Sequence, residues 1–136
     1  MAMVSAKEWR EIPGRYNLIG TKCGKCGRIY FPARAFCPYC RRASAGQMQP
    51  FALKRTGEVY SFSIVHEASG FNERQMPYAV AMVKNDDGVF IEAQLVDVDP
   101  ADIKIGMRVR AVMRKLNEDG AAGIIHYGYK FVPAKE

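Results

Sequence analysis

Histidine occurs only twice in the 136 residues, and cysteine only four times. His66 stands beside Glu67 at the end of a strand-like stretch, and His126 lies between Ile125 and Tyr127. A lone histidine in a strand reads as a packed or hydrogen-bonded group before it reads as a base. No Gly-x-Ser-x-Gly elbow, P-loop or Rossmann glycine fingerprint is present, so no hydrolase, nucleotide or dinucleotide motif points to an active site. No run of about 18 apolar residues occurs, and no membrane-spanning helix is predicted. The first eight residues, from Met1 to Glu8, lack a long apolar stretch with a basic flank, so a cytoplasmic, reducing location is expected.

Acidic residues are scarce in the first part of the chain. Residues 1–55 hold eleven Lys and Arg against two Glu, while residues 56–136 hold nine basic against twelve acidic residues. The net charge of +6 is therefore concentrated in the first 55 residues. Such a surface fits an anionic partner (nucleic acid, a CoA phosphate or an acidic protein), or it offsets a negatively charged metal–thiolate cluster. With 49% hydrophobic and 25% charged residues, the chain has the composition of a globular protein.

The cysteines fall in two pairs, Cys23-Gly24-Lys25-Cys26 and Cys37-Pro38-Tyr39-Cys40, separated by ten residues. Each Cys-x-x-Cys can sit on a tight knuckle and offer two thiolates about 2.3 Å from one tetrahedral ion. Gly24 and Gly27 suit the first knuckle and Pro38 the second. Disulfides need an oxidising compartment, and a redox Cys-x-x-Cys ordinarily occurs once, beside a βαβ unit. Zinc is the expected metal, although a rubredoxin-type iron centre uses the same ligands. Four thiolates leave no open position, so Cys23, Cys26, Cys37 and Cys40 predict a structural site, and no thiol remains as a nucleophile.

Composition shifts near residue 50 and divides the chain into a segment 1–20, a ribbon 21–50 and a β-rich part 51–136. In the first, Ser5-Ala6-Lys7-Glu8 has the form of a capping box, and Pro13 with Gly14 is expected to stop the helix early. Trp9, Ile12, Tyr16 and Leu18 need burial, either on the rest of the chain or on a partner. In the last part, alternation predicts five strands: Glu58–His66, Tyr78–Lys84, Val89–Val96, Met107–Leu116 and Ile124–Val132. Asn85-Asp86-Asp87-Gly88 and Asn117-Glu118-Asp119-Gly120 read as turns. The predicted fold class is mainly β: a short helix, a rubredoxin-like zinc ribbon and a five-stranded barrel, with the OB-fold as the five-stranded candidate. Tyr60, Phe62, Tyr127 and Tyr129 alternate as core residues, and Arg108, Arg110 and Arg114 form a solvated face. A single-strand nucleic-acid reading of these side chains is disfavoured by the acidic balance of this half. Asp97, Asp99 and Asp102 around Pro100 read as a turn and cap. The loop 68–77 is expected to display Phe71 and Met76 to a partner.

Taken together, Cys-x-x-Cys-Gly, Tyr-Phe-Pro-x-Arg, Cys-Pro-x-Cys, Gly-x-Val-x-Ser-x-x-x-Val-His, Ile105-Gly106-Met107-x-Val109 and Tyr129-x-Phe131-x-Pro133 resemble a zinc-ribbon plus OB-fold family long catalogued as a domain of unknown function. Trp9-Arg10-Glu11-Ile12-Pro13-x-Arg15-Tyr16-x-Leu18-Ile19-Gly20 and Gly123-Ile124-Ile125-x-Tyr127-Gly128-Tyr129-Lys130-Phe131 look most like its archaeal branch. That branch accompanies acetoacetyl-CoA thiolase and 3-hydroxy-3-methylglutaryl-CoA (HMG-CoA) synthase. The resemblance implies a non-catalytic subunit that bridges the two enzymes in the mevalonate route, with Trp9, Tyr16, Phe71 and Met76 as contact candidates. An acyl-CoA-binding or delivery module is the alternative it leaves open. No membrane partner is expected, and nucleic acid is the least favoured ligand because fold does not dictate function.

Overall fold

The computed structural model describes residues 6–68 and 70–134, with the backbone alone for Phe71 and Asn72. Helix α1 (Ala6–Asn17) leads into a three-stranded antiparallel sheet of β1 (Ile19–Cys23), β2 (Ile29–Tyr30) and β3 (Met48–Ala52), in the order β2-β1-β3. Five further strands follow: β4 (Thr56–Val65), β5 (Tyr78–Asn85), β6 (Phe90–Leu95), β7 (Arg108–Glu118) and β8 (Ile125–Pro133). They close a barrel in the order β4-β5-β6-β8-β7, the five-stranded architecture predicted. The β6–β8 seam is parallel and joined at only one pair, Leu95 with Phe131.

Both expected turns are present. In the first, Asn85 Oδ1 accepts the backbone N–H groups of Asp87 and Val89, and Gly88 takes a φ of 82°. In the second, Gly120 has a φ of 75° and Asp119 N–H donates to the Ile124 carbonyl. Asp99 Oδ1 accepts the Ala101 N–H at the start of a short 3₁₀ turn (Pro100–Asp102), as a cap should.

Alternation places Val59, Ala79, Ala81, Val83, Ile91, Leu95, Val109, Ala111 and Phe131 inside the barrel. Leu18 and Leu53, at the base of the ribbon, are buried in the same cluster, and Phe31 and Phe51 pack against it. Ribbon and barrel therefore share one hydrophobic core.

Two expectations are corrected. Helix α1 does not stop at Pro13 but continues to Asn17. Proline removes one internal hydrogen bond. Tertiary contacts hold the second half of the helix: Arg55 donates to the Tyr16 carbonyl, and the Tyr16 ring meets Tyr127 edge-on at 6.4 Å. Ser5 of the proposed capping box lies outside the described residues. Secondly, Tyr60, Phe62 and Tyr127 are not core residues: all three are exposed, Tyr60 stacks edge-on with Phe90 on the outside of the barrel, and Tyr127 faces Tyr16 of α1. An irregularity in β4 between Val59 and Ser61 shifts the register there, so strict alternation fails beyond Val59.

Candidate metal centre and interaction faces

β1 delivers Cys23 at its end, and β2 and β3 return the chain on either side of it. The four Sγ atoms of Cys23, Cys26, Cys37 and Cys40 lie within 4.8 Å of one another, and Cys26 and Cys37 are 3.6 Å apart. A tetrahedral zinc with 2.3 Å bonds requires sulfur–sulfur edges of about 3.8 Å. The cage therefore fits the ion. Its chemistry also calls for a cation. Burial pushes Cys37 up, but the hydrogen bond from the Tyr30 hydroxyl (3.2 Å) and the backbone N–H groups of Cys40 and Tyr39 outweigh it, to about 6. Cys40 is pushed up to about 12, by burial first and then by its neighbouring thiols. Without a metal these four groups cannot all be ionised together.

The two knuckles are built alike. Gly27 follows Cys26 with a φ of 74°, and Arg41 follows Cys40 with a φ of 50°. The left-handed region is natural for glycine and costs an ordinary residue about 1–2 kcal/mol. The second knuckle thus carries an arginine where its backbone favours glycine. The turn after Arg41 is held by Ser44, whose Oγ accepts the Cys37 N–H (2.9 Å) and donates to the Arg41 carbonyl (2.6 Å).

The candidate contact residues are dispersed. Trp9 stands 71% exposed on α1. Tyr16 is half-buried and borders, with Trp9, Ile12, Ile124, Ile125 and Tyr127, a shallow depression of about 130 Å³. Met76 is also half-buried, and its Sδ accepts the Ala68 N–H, so it serves the loop itself. The side chain of Phe71 lies outside the described residues. Trp9 and Tyr16 therefore share one face, and Met76 belongs to a different loop.

Sequence reasoning missed the group beneath that face. His126 is 8% exposed, with Glu8 Oε1 2.6 Å from Nδ1 and Asp119 Oδ2 3.1 Å from Nε2. Two carboxylates can only accept, so both ring nitrogens donate and the imidazolium is favoured. The Asp119 contact first, then Glu8, raises the His126 pKa against the opposing effect of burial. The three residues stitch α1 to the β7–β8 hairpin. Glu8 is 118 positions from His126, which no local pattern reveals.

On the barrel, two of the three predicted face arginines are neutralised. Arg108 forms a two-pronged pair with Asp86 (2.9 and 3.0 Å), and Arg114 pairs with Asp97 (2.6 Å). Arg108 first, then the Thr56 hydroxyl, lowers the Asp86 carboxyl to about 2. A cleft of about 890 Å³ opens where α1, the ribbon and the barrel seam meet. Phe31, Ala93 and Tyr129 give it apolar walls, and its charged lining is mixed, Lys7, Arg10, Arg15 and Lys130 against Glu11 and Glu92.

Comparison with known proteins matches the same two parts. Residues 10–44 fit the family "ChsH2, rubredoxin-like zinc ribbon domain", and residues 52–114 fit "ChsH2, C-terminal OB-fold domain". A DUF35 domain-containing scaffold protein of Methanocaldococcus jannaschii is 46% identical over 93% of this chain and 89% of its own length. One from Methanothermobacter thermautotrophicus is 40% identical, with 98% of each chain covered. Among solved structures, a chain of the Ltp2-ChsH2(DUF35) aldolase superposes with a TM-score of 0.70 at 26% identity, covering 98% of both chains. The chain belongs to the DUF35 family of zinc-ribbon and OB-fold proteins.

Proposed function

We propose that this chain is a non-catalytic scaffold subunit that bridges acetoacetyl-CoA thiolase and HMG-CoA synthase and supports transfer of acetoacetyl-CoA in the mevalonate pathway. The observation that carries the reading is the unpartnered apolar face of α1 and β8, centred on exposed Trp9 and braced from below by His126. A rigid face with an aromatic anchor is the kind of surface that makes a protein contact. The names of the relatives and of the solved neighbour support an assembly role, since the relatives are called scaffold proteins and the neighbour is named as an Ltp2-ChsH2(DUF35) aldolase. The metal site adds rigidity and supplies no open coordination position. Affinity purification of the tagged chain from extract of its own source, with the eluted subunits identified, tests the reading. Thiolase and synthase in stoichiometric amounts support it, and a free monomer beside both enzymes contradicts it.

A second reading, acyl-CoA binding or delivery, is favoured by the cleft of about 890 Å³ and its pairing of apolar walls with Lys7, Arg10 and Lys130. A pantetheine arm fits apolar walls, and its phosphates fit the cations. Calorimetry with CoA and acetoacetyl-CoA on the isolated chain separates the readings, because a pure scaffold gives no heat of binding.

A further inference from the structure

Between Glu11 and Glu58 the sequence contains no acidic residue, but it contains nine Lys and Arg. Most of them lie on the ribbon, and Lys22, Lys25, Arg28, Arg34, Arg41 and Arg42 are all exposed. Among the described residues none of these six forms an ion pair. The arginines of the barrel behave differently, because Arg108 and Arg114 each have an aspartate. The ribbon charge is therefore left uncompensated by the chain itself.

The arrangement is also ordered. The Arg28 guanidinium lies 3.4 Å from the centroid of the Tyr39 ring, and Arg34 lies 5.4 Å from that of Tyr30. Stacking fixes the plane of a guanidinium and leaves its N–H edge free for a carboxylate. Arg41 and Arg42 follow Cys40 directly, on the knuckle that carries Tyr39. Arg41 occupies the left-handed position at which the sister knuckle has Gly27. Its backbone would be more comfortable with glycine, and its side chain has no ion-pair partner among the described residues. What the arginine contributes is an outward charge at a fixed place beside the metal cage.

We infer that the tip of the zinc ribbon, through Arg28, Arg41 and Arg42 around Tyr39, is a docking surface for an acidic, carboxylate-bearing surface of a partner protein. The inference rests on the scaffold reading and names the ribbon as one of its contact faces, separate from the Trp9 face. Charge complementarity selects the partner: an all-basic patch with planar guanidinium groups matches clustered Asp and Glu, which steer and orient association. Single-stranded nucleic acid is the competing ligand for a basic surface. It stacks its bases on open aromatic faces; Arg28 takes one face of the Tyr39 ring and the rest of the ring stays exposed, so charge complementarity with carboxylates carries the choice and RNA binding is measured beside it.

The test uses the intact zinc-loaded chain and its own thiolase and synthase. Affinity for each enzyme is measured by calorimetry or surface plasmon resonance as salt is raised, for the wild type and for Arg41→Gly and Arg42→Glu. Binding of a labelled single-stranded 20-mer RNA is measured alongside. For at least one enzyme, affinity should fall with salt, and each variant should weaken it about tenfold at low salt, the scale of one close charge pair. Arg41→Gly should keep its zinc and melt no lower than the wild type, so that lost binding cannot be ascribed to lost folding. Wild-type affinity in both variants overturns the inference and leaves the scaffold reading standing. RNA binding tighter than binding to either enzyme, and lost in the same variants, overturns it in favour of nucleic acid. No binding of the wild type to either enzyme removes the scaffold reading and this inference with it.

Discussion

Removal of the metal should unfold the ribbon and leave the barrel folded. Between residues 21 and 50 the only buried side chains are Cys23, Cys37 and Ser44. Two of these are ligands, so the ribbon has no apolar core apart from the metal cage. Structural zinc contributes on the order of 10 kcal/mol to the folding of such modules, as large as the entire net stability of an ordinary domain, about 5–15 kcal/mol. Within this segment only Ile29 and Phe31 reach the shared core, and they do so partly buried, which is too little to replace it. The barrel keeps its own cluster, from Val59 to Phe131, without the metal. The same arithmetic gives a pH dependence. In the unfolded ribbon the thiols titrate near pH 8.5, and about four protons leave as zinc binds at neutral pH. Each unit of acidification then costs about 5 kcal/mol of metal binding, so most of the metal's contribution is gone by about pH 5. The assay is an amide NMR spectrum before and after chelation, with Cys37→Ser as a second route to the metal-free state. Signals from residues 21–50 should collapse to random-coil positions while those of β5 (Tyr78–Asn85) and β7 (Arg108–Glu118) stay dispersed. A chelated protein, shown to be free of metal, that retained a dispersed ribbon would refute the reasoning.

The attachment of α1 should weaken as pH rises. The His126 pKa is raised in the folded protein. Its stabilising effect is therefore full below the unfolded value of about 6.5 and is lost as pH climbs through the folded value. Hydrogen exchange of the α1 amides should accelerate across that window, and Glu8→Gln should flatten the profile. Phe131→Ala should cost about 3–5 kcal/mol in urea unfolding, because the ring is 1% exposed and its residue closes the seam with Leu95. Trp9→Ala should change stability by no more than about 0.5 kcal/mol, since the side chain is largely exposed. The same substitution should weaken a partner complex by tenfold or more if Trp9 is an anchor.

What could be read from sequence was set by short-range constraint. Ligand spacing alone identified the cage, because two Cys-x-x-Cys knuckles leave few other geometries for four thiols. Period-two alternation located the five barrel strands within a residue or two, because an inward face must be apolar. The failures are tertiary. Proline propensity stopped α1 too soon, because Arg55 and Tyr127 hold its second half from far along the chain. Alternation puts Tyr60 and Phe62 in the core, because the irregularity after Val59 leaves no mark in the residue pattern. The Glu8–His126–Asp119 bridge joins both ends of the chain, and each residue looks ordinary in its own segment. The Arg41 conformation was equally hidden, since an arginine after a cysteine does not announce a left-handed backbone.

The most direct test of the bridging role is reconstitution from three purified proteins. Thiolase and synthase are mixed with and without the zinc-loaded chain, and the species are resolved by size-exclusion chromatography with light scattering. The account predicts one complex containing all three when the chain is present, and separate enzymes when it is absent. Association of thiolase with synthase to the same extent without the chain, or elution of the chain alone beside them, would contradict it.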